Sequence, residues 1–600
     1  MINHFCKTPL WEAAPTLAAV AQGKRPADTV IRGCTLVNVC THELQGPIDV
    51  ALSCGRIALV GDGAPCIGPE TEVIDAAGLF LAPGFLDGHL HVESSMVSVG
   101  EYARAVLPHG TTGIFMDPHE ICNVLGLPGV SCMMEDAART PLKTMLTTPS
   151  CVPAVPGFED TGASIGPEDI RETMKWDSVV GLGEMMNFPG ILASDDRTHA
   201  IVGETLKAGK IVTGHYAMME NGAGLNAYIA AGIRCCHEST RAEDALQKMR
   251  LGMYAMLREG SGWRDLHEVA KSVTQHEIDT RFAVLVSDDD HPHTLTAEGH
   301  VDHILRRAIE EGIDPITAIQ MVTINCAQCF QLDHELGSVT PGKCADLVLL
   351  RDLTSMEVVR TFIDGATVAK DGEMTAELPE YRYPQWATGS VHVGRPILSS
   401  SFRIPGKGEQ ARVRVIEVAS GRVDNREGRA VLPVRDGAIC ADPDQDVMKA
   451  VVFERHHETG HTGFGFVKGF GIRSGAMAST VAHDAHNLLV VGVNDDDMAL
   501  AANTLVKEGG GMVVVRDGRV LGLVPLPIAG LMSDKPVREV SALVEQLEGA
   551  WREIGCTMVS PFMTMAGLSL ACLPELRLTD RGLVDCTSFR FVPLEAEDEA

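Results

Sequence analysis

His89 and His91 stand two residues apart in Pro83-Gly84-Phe85-Leu86-Asp87-Gly88-His89-Leu90-His91, directly after the apolar run of residues 78–82. Side chains at i and i+2 of a strand share one face, so a strand ending here presents two imidazoles to one point in space. Two glycines, Gly84 and Gly88, let the backbone approach closely. A bare His-x-His is as consistent with ordinary polar strand-end residues as with metal ligation. The downstream residues decide between them. Glu184 follows the run 180–183, His215 follows 211–214, His237 follows 231–236, and Asp288 follows 283–287. Six nitrogen and oxygen ligands suffice for two cations, and a carboxylate such as Glu184 can bridge both. Two ions ~3.5–4 Å apart hold and activate a hydroxide for hydrolysis. Asp117-Pro118-His119-Glu120 ends another apolar run, and Glu93, Ser94 and Ser95 lie just beyond the histidine pair. His119 and Glu120 are therefore candidates for proton relay or ring contacts, or for support of the metal ligands.

Those residues must be positioned by elements whose ends converge. From His89 to about residue 335, short apolar runs alternate with helical stretches, among them residues 299–312. About 245 residues of this texture predict an α/β fold, a (β/α)8 TIM-like barrel, in which strand C-termini meet at one face and active sites sit there. An open doubly wound sheet fits less well, because no G-x-G-x-x-G follows a strand where a dinucleotide site needs it. Residues 11–24 read as an amphipathic helix. Residues 28–82 and 337–375 are β-rich and predict one small β-sandwich built from both flanks of the barrel. Residues 376–405 are Pro-rich and read as a linker, and 406–595 mix strands with helices at 496–508 and 537–554. The expected division is 1–82, 83–336, 337–390 and a C-terminal α+β domain at 391–600.

Composition narrows the function classes. The 600 residues include 80 acidic and 50 basic ones, a formal net charge of -30. That disfavours nucleic acid or an anionic membrane as partner and fits a small neutral ligand. No apolar run approaches the ~18 residues of a membrane helix, and the N-terminus lacks a signal-peptide pattern. The 17 cysteines form no dense framework. Cys235, Cys236, Cys326 and Cys329 read as buried thiols, and a reducing cytoplasm follows.

The motif at 83–91, His215, His237, Asp288 and Gly337-Ser338-Val339-Thr340-Pro341-Gly342-Lys343-Cys344-Ala345-Asp346 together resemble the amidohydrolase superfamily. Residues 91–96, 116–121, 181–187, 288–293, 468–472 and 481–487 further resemble its adenine deaminase branch, over nearly the whole chain. Glu184, with no nearby lysine, stands where many superfamily members carry a carboxylated lysine, which argues against hydantoinase and dihydroorotase readings. The His-Ala-Gly-Glu pattern of adenosine deaminases is absent, and His91-Val92-Glu93 has no following P-C-x-x-C of the zinc deaminases that act on nucleic acids. The resemblance implies hydrolysis of adenine to hypoxanthine and ammonia in the cytoplasm by a homo-oligomer, a dimer or tetramer. It implies two divalent ions, Fe(II) or Mn(II) with Zn(II) possible, held by His89, His91, Glu184, His215, His237 and Asp288. Asp288, Glu120 and His119 are then the expected catalytic residues. Ser94, Asp117, His291 and His483 are the expected contacts to the purine base, with His293 a further pocket candidate. The segment 481–487 is expected to fold over the barrel mouth. Two alternatives stay open: an amidohydrolase acting on another purine or imidazolone-like heterocycle, and a non-catalytic metal-binding protein.

Overall fold

Eight short apolar runs form eight parallel strands: Phe85–Leu90, Thr111–Met116, Lys143–Thr148, Val179–Met185, Ile211–Gly214, Ile233–Cys236, Tyr254–Arg258 and Ala283–Val286. The computed structural model describes residues 6–218, 221–419 and 425–596. Nearly every residue of these strands is buried, because helices cover the outside of the sheet and side chains fill its interior. The first and last strands close the ring: Asp288 N–H donates to the His89 carbonyl at 3.1 Å, and His91 N–H to the Asp288 carbonyl at 3.2 Å. Asp288 adopts a left-handed φ of 64° to make this junction, a conformation aspartate tolerates better than most residues.

The histidine pair does not continue the strand of the preceding apolar run. Phe80–Pro83 pairs antiparallel with Leu347–Leu350 in the flanking sheet, whereas Phe85–Leu90 pairs parallel with Thr111–Met116 in the barrel. Gly84 alone separates them. A Cβ there would lie 2.2 Å from Thr112 Oγ1, so only glycine lets the chain pass from one sheet to the other at this spot. Gly88 has no unusual φ. Its role is contact, with Cys326 Sγ 3.2 Å from where a Cβ would sit.

Strands from residues 29–83 and 347–374 join in one nine-stranded sheet, so both flanks of the barrel build it. Helix Leu10–Ala21 packs on it through Ala13, Leu17 and Val20. The stretch before the flanking sheet's return forms two short helices, Pro315–Met321 and Ile324–Cys329. They break where the Val322 carbonyl turns to accept from Leu86 N–H at 2.8 Å. Beyond the barrel, a ten-stranded sheet carries helices Asp495–Glu508 and Val537–Glu553, followed by a three-stranded sheet. Asn494 caps the first of these helices by accepting from Asp497 N–H, and left-handed Gly509 ends it. The Pro-rich stretch read as a linker is packed: Val393, Ile397 and Phe402 are buried against the C-terminal sheet, and the Ala387 carbonyl accepts from Ala529 N–H at 2.7 Å. Proline sets its extended backbone, while its apolar side chains decide its burial. Among the described residues, no helix is long and apolar enough to cross a membrane. All 17 cysteines are free, and Cys235, Cys236, Cys326 and Cys329 are buried.

Candidate metal centre and active site

The barrel brings all six expected ligands to the C-terminal ends of its strands. Glu184 is central. Its Oε2 lies 2.6 Å from His215 Nδ1 and 3.0 Å from His237 Nε2, and its Oε1 lies 3.5 Å from His91 Nε2. Asp288 Oδ1 faces His91 Nε2 at 3.3 Å and His89 Nε2 at 3.7 Å. The rings of His89 and His237 stack with centroids 4.0 Å apart. His89–His91–Asp288, His89–Glu184–His237 and His91–His119–Glu184 each converge closely enough for one ion.

The imidazoles differ in protonation: against their burial, Asp288 and Glu184 hold His91 well above the usual histidine value, and Glu238 and Glu184 raise His215 to about 9. Burial, reinforced by His237 and His91, holds His89 well below the usual histidine pKa, so its ring is neutral and its lone pair free. His89 Nε2 is buried without a hydrogen-bond partner, a costly state unless something else binds that lone pair. Burial alone would raise the pKa of Glu184 and Asp288, but His215 and His237 around the first, and His91 and Arg258 around the second, keep both well below the carboxylate range. Imidazoles alternating with carboxylates are a donor set for a borderline divalent cation, whose binding displaces the imidazole protons. The chain thus carries a candidate divalent metal centre. His91 Nδ1–H donates to the Asp117 carbonyl at 2.8 Å, which turns its Nε2 towards Glu184 and Asp288.

The remaining expected residues occupy varied positions. Asp117 is fully buried, and its carboxylate accepts from Glu184 N–H at 2.7 Å, directly under the central ligand. His119 lies between two carboxylates, Nδ1 3.3 Å from Glu184 and Nε2 3.4 Å from Glu120. Glu120 is enclosed by His119, by His483 Nδ1 at 2.8 Å and by His486 Nε2. Ser94 hydrogen-bonds Asp289. His291 donates its backbone N–H to Ser261 Oγ and keeps its ring Nε2 buried without a partner. His293 is exposed and Ser95 turns inward to the Val92 carbonyl. The segment 481–487 of the C-terminal domain reaches the barrel through His483 and through Asp484, 3.9 Å from His119 Nε2.

Sequence reasoning gave no role to Arg258, Glu238, Asp87, His300 or His486. Arg258 ends the seventh strand, Tyr254–Arg258. Its Nη1 donates to both Asp288 Oδ2 and Glu238 Oε1 at 2.7 Å, while Nε and Nη2 hold Asp265. Glu238 adjoins His237, and its Oε1 lies 3.8–3.9 Å from His237 and His215 Nε2. Asp87 accepts from Ser287 Oγ and N and lies 3.1 Å from His300 Nε2, pinning the strand beneath the histidine pair.

The chain matches the amidohydrolase family over residues 80–368 and the adenine deaminase C-terminal domain over residues 423–590. It is 67% identical over 599 residues to an adenine deaminase of Clostridium botulinum, with both chains fully covered. The chain belongs to the adenine deaminase family. A Moorella thermoacetica adenine deaminase is 56% identical across 98% of this chain and 99% of its own. One from Mesorhizobium japonicum is 46% identical across 98% of each. For a member of this family, the metal-type cluster lies in the amidohydrolase segment and the strap around His483 in the adenine deaminase C-terminal segment.

Proposed function

We propose that this chain hydrolyses adenine to hypoxanthine and ammonia at a centre of two divalent ions, Fe(II) or Mn(II) in preference to Zn(II). The observation that carries the reading is Glu184, one anionic side chain in contact with His91, His215 and His237, in a chain matched end to end by adenine deaminases. His89, His91 and Asp288 would hold one ion, His215 and His237 the other, and Glu184 both. When bound, such a pair supplies Lewis-acid chemistry and lowers the pKa of water towards neutrality.

The chain's own groups handle the protons. Asp288 Oδ1 faces the centre, while Arg258 holds Oδ2, so Oδ1 is the atom that accepts the proton of the attacking water and returns it to the exocyclic nitrogen. That return matters because ammonia leaves readily and amide ion does not. His119, between Glu184 and Glu120, relays a second proton. Glu120 remains anionic because His483, His486 and His119 outweigh its burial, and against burial it holds His119 towards its protonated form. Asp117 orients Glu184 through its backbone N–H and so acts beneath the site. Ser94, His291 and His483 are the proposed contacts to the purine edge, and the 481–487 strap excludes bulk water. We further propose a cytoplasmic homo-oligomer. The scatter of the 17 cysteines without a dense framework supports the compartment.

Ammonia release from adenine, guanine, adenosine and an imidazolone, measured with protein reconstituted separately with Fe(II), Mn(II) and Zn(II), tests the assignment. Turnover of adenine alone supports it. Turnover of another heterocycle with adenine inert assigns the chain a different substrate within the same chemistry.

A further inference from the structure

A second cluster of reactive side chains lies away from the proposed active site. Cys6, in the segment leading to helix Leu10–Ala21, meets Cys344, just before strand Leu347–Leu350. Their sulfurs and a carboxylate oxygen of Asp364 all lie within 4.8 Å of one another. Both thiols are buried, at 4% and 3% exposure. The segment carrying Cys6 is anchored by the two residues that follow it. Lys7 N–H donates to Asp364 Oδ2 at 3.3 Å, and Arg56 Nε donates to the Thr8 carbonyl at 2.9 Å. Lys143 opens the third barrel strand, so the cluster sits at the end of the barrel opposite the metal-type residues.

Three such ligand atoms invite a metal reading, but the surroundings oppose it. Lys143 Nζ is 2.8 Å from Asp364 Oδ1 and 2.7 Å from Asp346, so the carboxylate already has its cation. A divalent ion would sit beside a fixed ammonium. The same ammonium, with Arg56 on the other side, favours a thiolate. Cys6 Sγ lies 3.5 Å from the Gly55 carbonyl and Cys344 Sγ donates to Glu335 Oε2 at 3.6 Å; the neighbouring Cys344 holds the Cys6 pKa below the ordinary thiol value despite burial, while Cys344 itself is pushed well up. One sulfur is set to attack and the other stays protonated beside it.

We propose that Cys6 and Cys344 form a redox-active dithiol, which a hydroperoxide oxidises to a disulfide that fastens the N-terminal segment to the base of the barrel. The Cys6 thiolate attacks one peroxide oxygen, the O–O bond breaks, and hydroxide leaves to become water. Cys6 is then a sulfenic acid. The Cys344 sulfur attacks Cys6 sulfur, the S–O bond breaks, and water leaves with the Cys344 proton as the S–S bond forms. Two thiols lose two electrons and two protons, and one peroxide becomes two waters.

The test treats the full-length protein with a single equivalent of hydrogen peroxide, blocks remaining thiols, digests without reductant and maps peptides by mass spectrometry. A peptide joining Cys6 to Cys344, lighter by two hydrogens and cleaved by dithiothreitol, is the expected product. In C344S the joined peptide disappears and Cys6 accumulates as sulfenic acid, trapped with dimedone, while adenine turnover before oxidation is unchanged. The proposal is overturned if Cys6 and Cys344 both remain alkylatable while exposed Cys40 is oxidised, or if wild-type Cys6 stops at a dimedone-trapped sulfenic acid with no joined peptide. Should C344S fail to fold, C6S gives the same loss of the joined peptide, and its persistence would equally refute the pairing.

Discussion

Replacing Arg258 by Met should damage the metal centre without touching any proposed ligand. Arg258 is the shared counter-charge of three carboxylates, with contacts of 2.7 Å to Glu238, Asp265 and Asp288. Burial works against its charge, but those carboxylates outweigh it and hold the guanidinium well above its usual pKa. Met fills similar volume but supplies no donor. Removing one partner of a buried ion pair costs about 3–5 kcal/mol, because the remaining charge is left uncompensated. Here the nearest uncompensated charge is on Asp288, which would then rotate its freed oxygen or take up a proton. Side chains that orient metal ligands typically contribute about 10–100-fold to metal affinity or activity. The expected R258M protein therefore unfolds at lower urea, retains less metal after dialysis against a chelator, and loses kcat/KM by about 10–100-fold. R258K, which keeps the charge but not the planar fork, should fall between. If R258M retains wild-type metal content and turnover while remaining folded, the argument that Arg258 fixes Asp288 is wrong.

Other perturbations follow from the same geometry. E184Q should lose bound metal together with turnover, read by elemental analysis and ammonia release; full metal content would remove Glu184 from the centre. H483A should raise the KM for adenine and increase proteolysis around 481–487, and unchanged values of both would show that the strap does not close the mouth. His483 is held at about 9 by Glu120, against its burial and a reference value of 6.5. Its raised pKa means that its contribution is fully present below pH about 6.5 and lost as pH rises through 9, so strap protection should decline over that window. Burial, with Asp484 nearby, pushes Glu159 up to about 8 from 4.5. The folded state then binds this proton more tightly than the unfolded chain, and stability falls as pH rises from about 4.5 to 8. E159Q should exceed wild type in urea denaturation at pH 8 by on the order of a few kcal/mol, and converge with it near pH 4. A difference independent of pH would refute this.

The sequence exposed those parts of the molecule in which chemistry and periodicity coincide. His89, His91, Glu184, His215, His237 and Asp288 each end an apolar run, and a parallel barrel must gather such ends on one face. Arg258 escaped notice because Tyr254–Arg258 is flanked by Met253 and Gly252 without a clear alternation, and a cation does not look like part of a metal site. The enclosure of Glu120 by His486 could not be read either, since it depends on two segments more than 350 residues apart meeting at an interface. The stretch taken for a linker shows the converse error: proline content signals extended backbone, but only the surfaces available for packing determine whether it is buried.

The most direct test of the account follows oxygen from isotopically labelled water during conversion of adenine by metal-loaded and metal-stripped protein. The account predicts hypoxanthine carrying one labelled oxygen at C6 for each ammonia released, with conversion lost on stripping and restored by Fe(II) or Mn(II). Conversion that survives stripping, or hypoxanthine without the label, would contradict it.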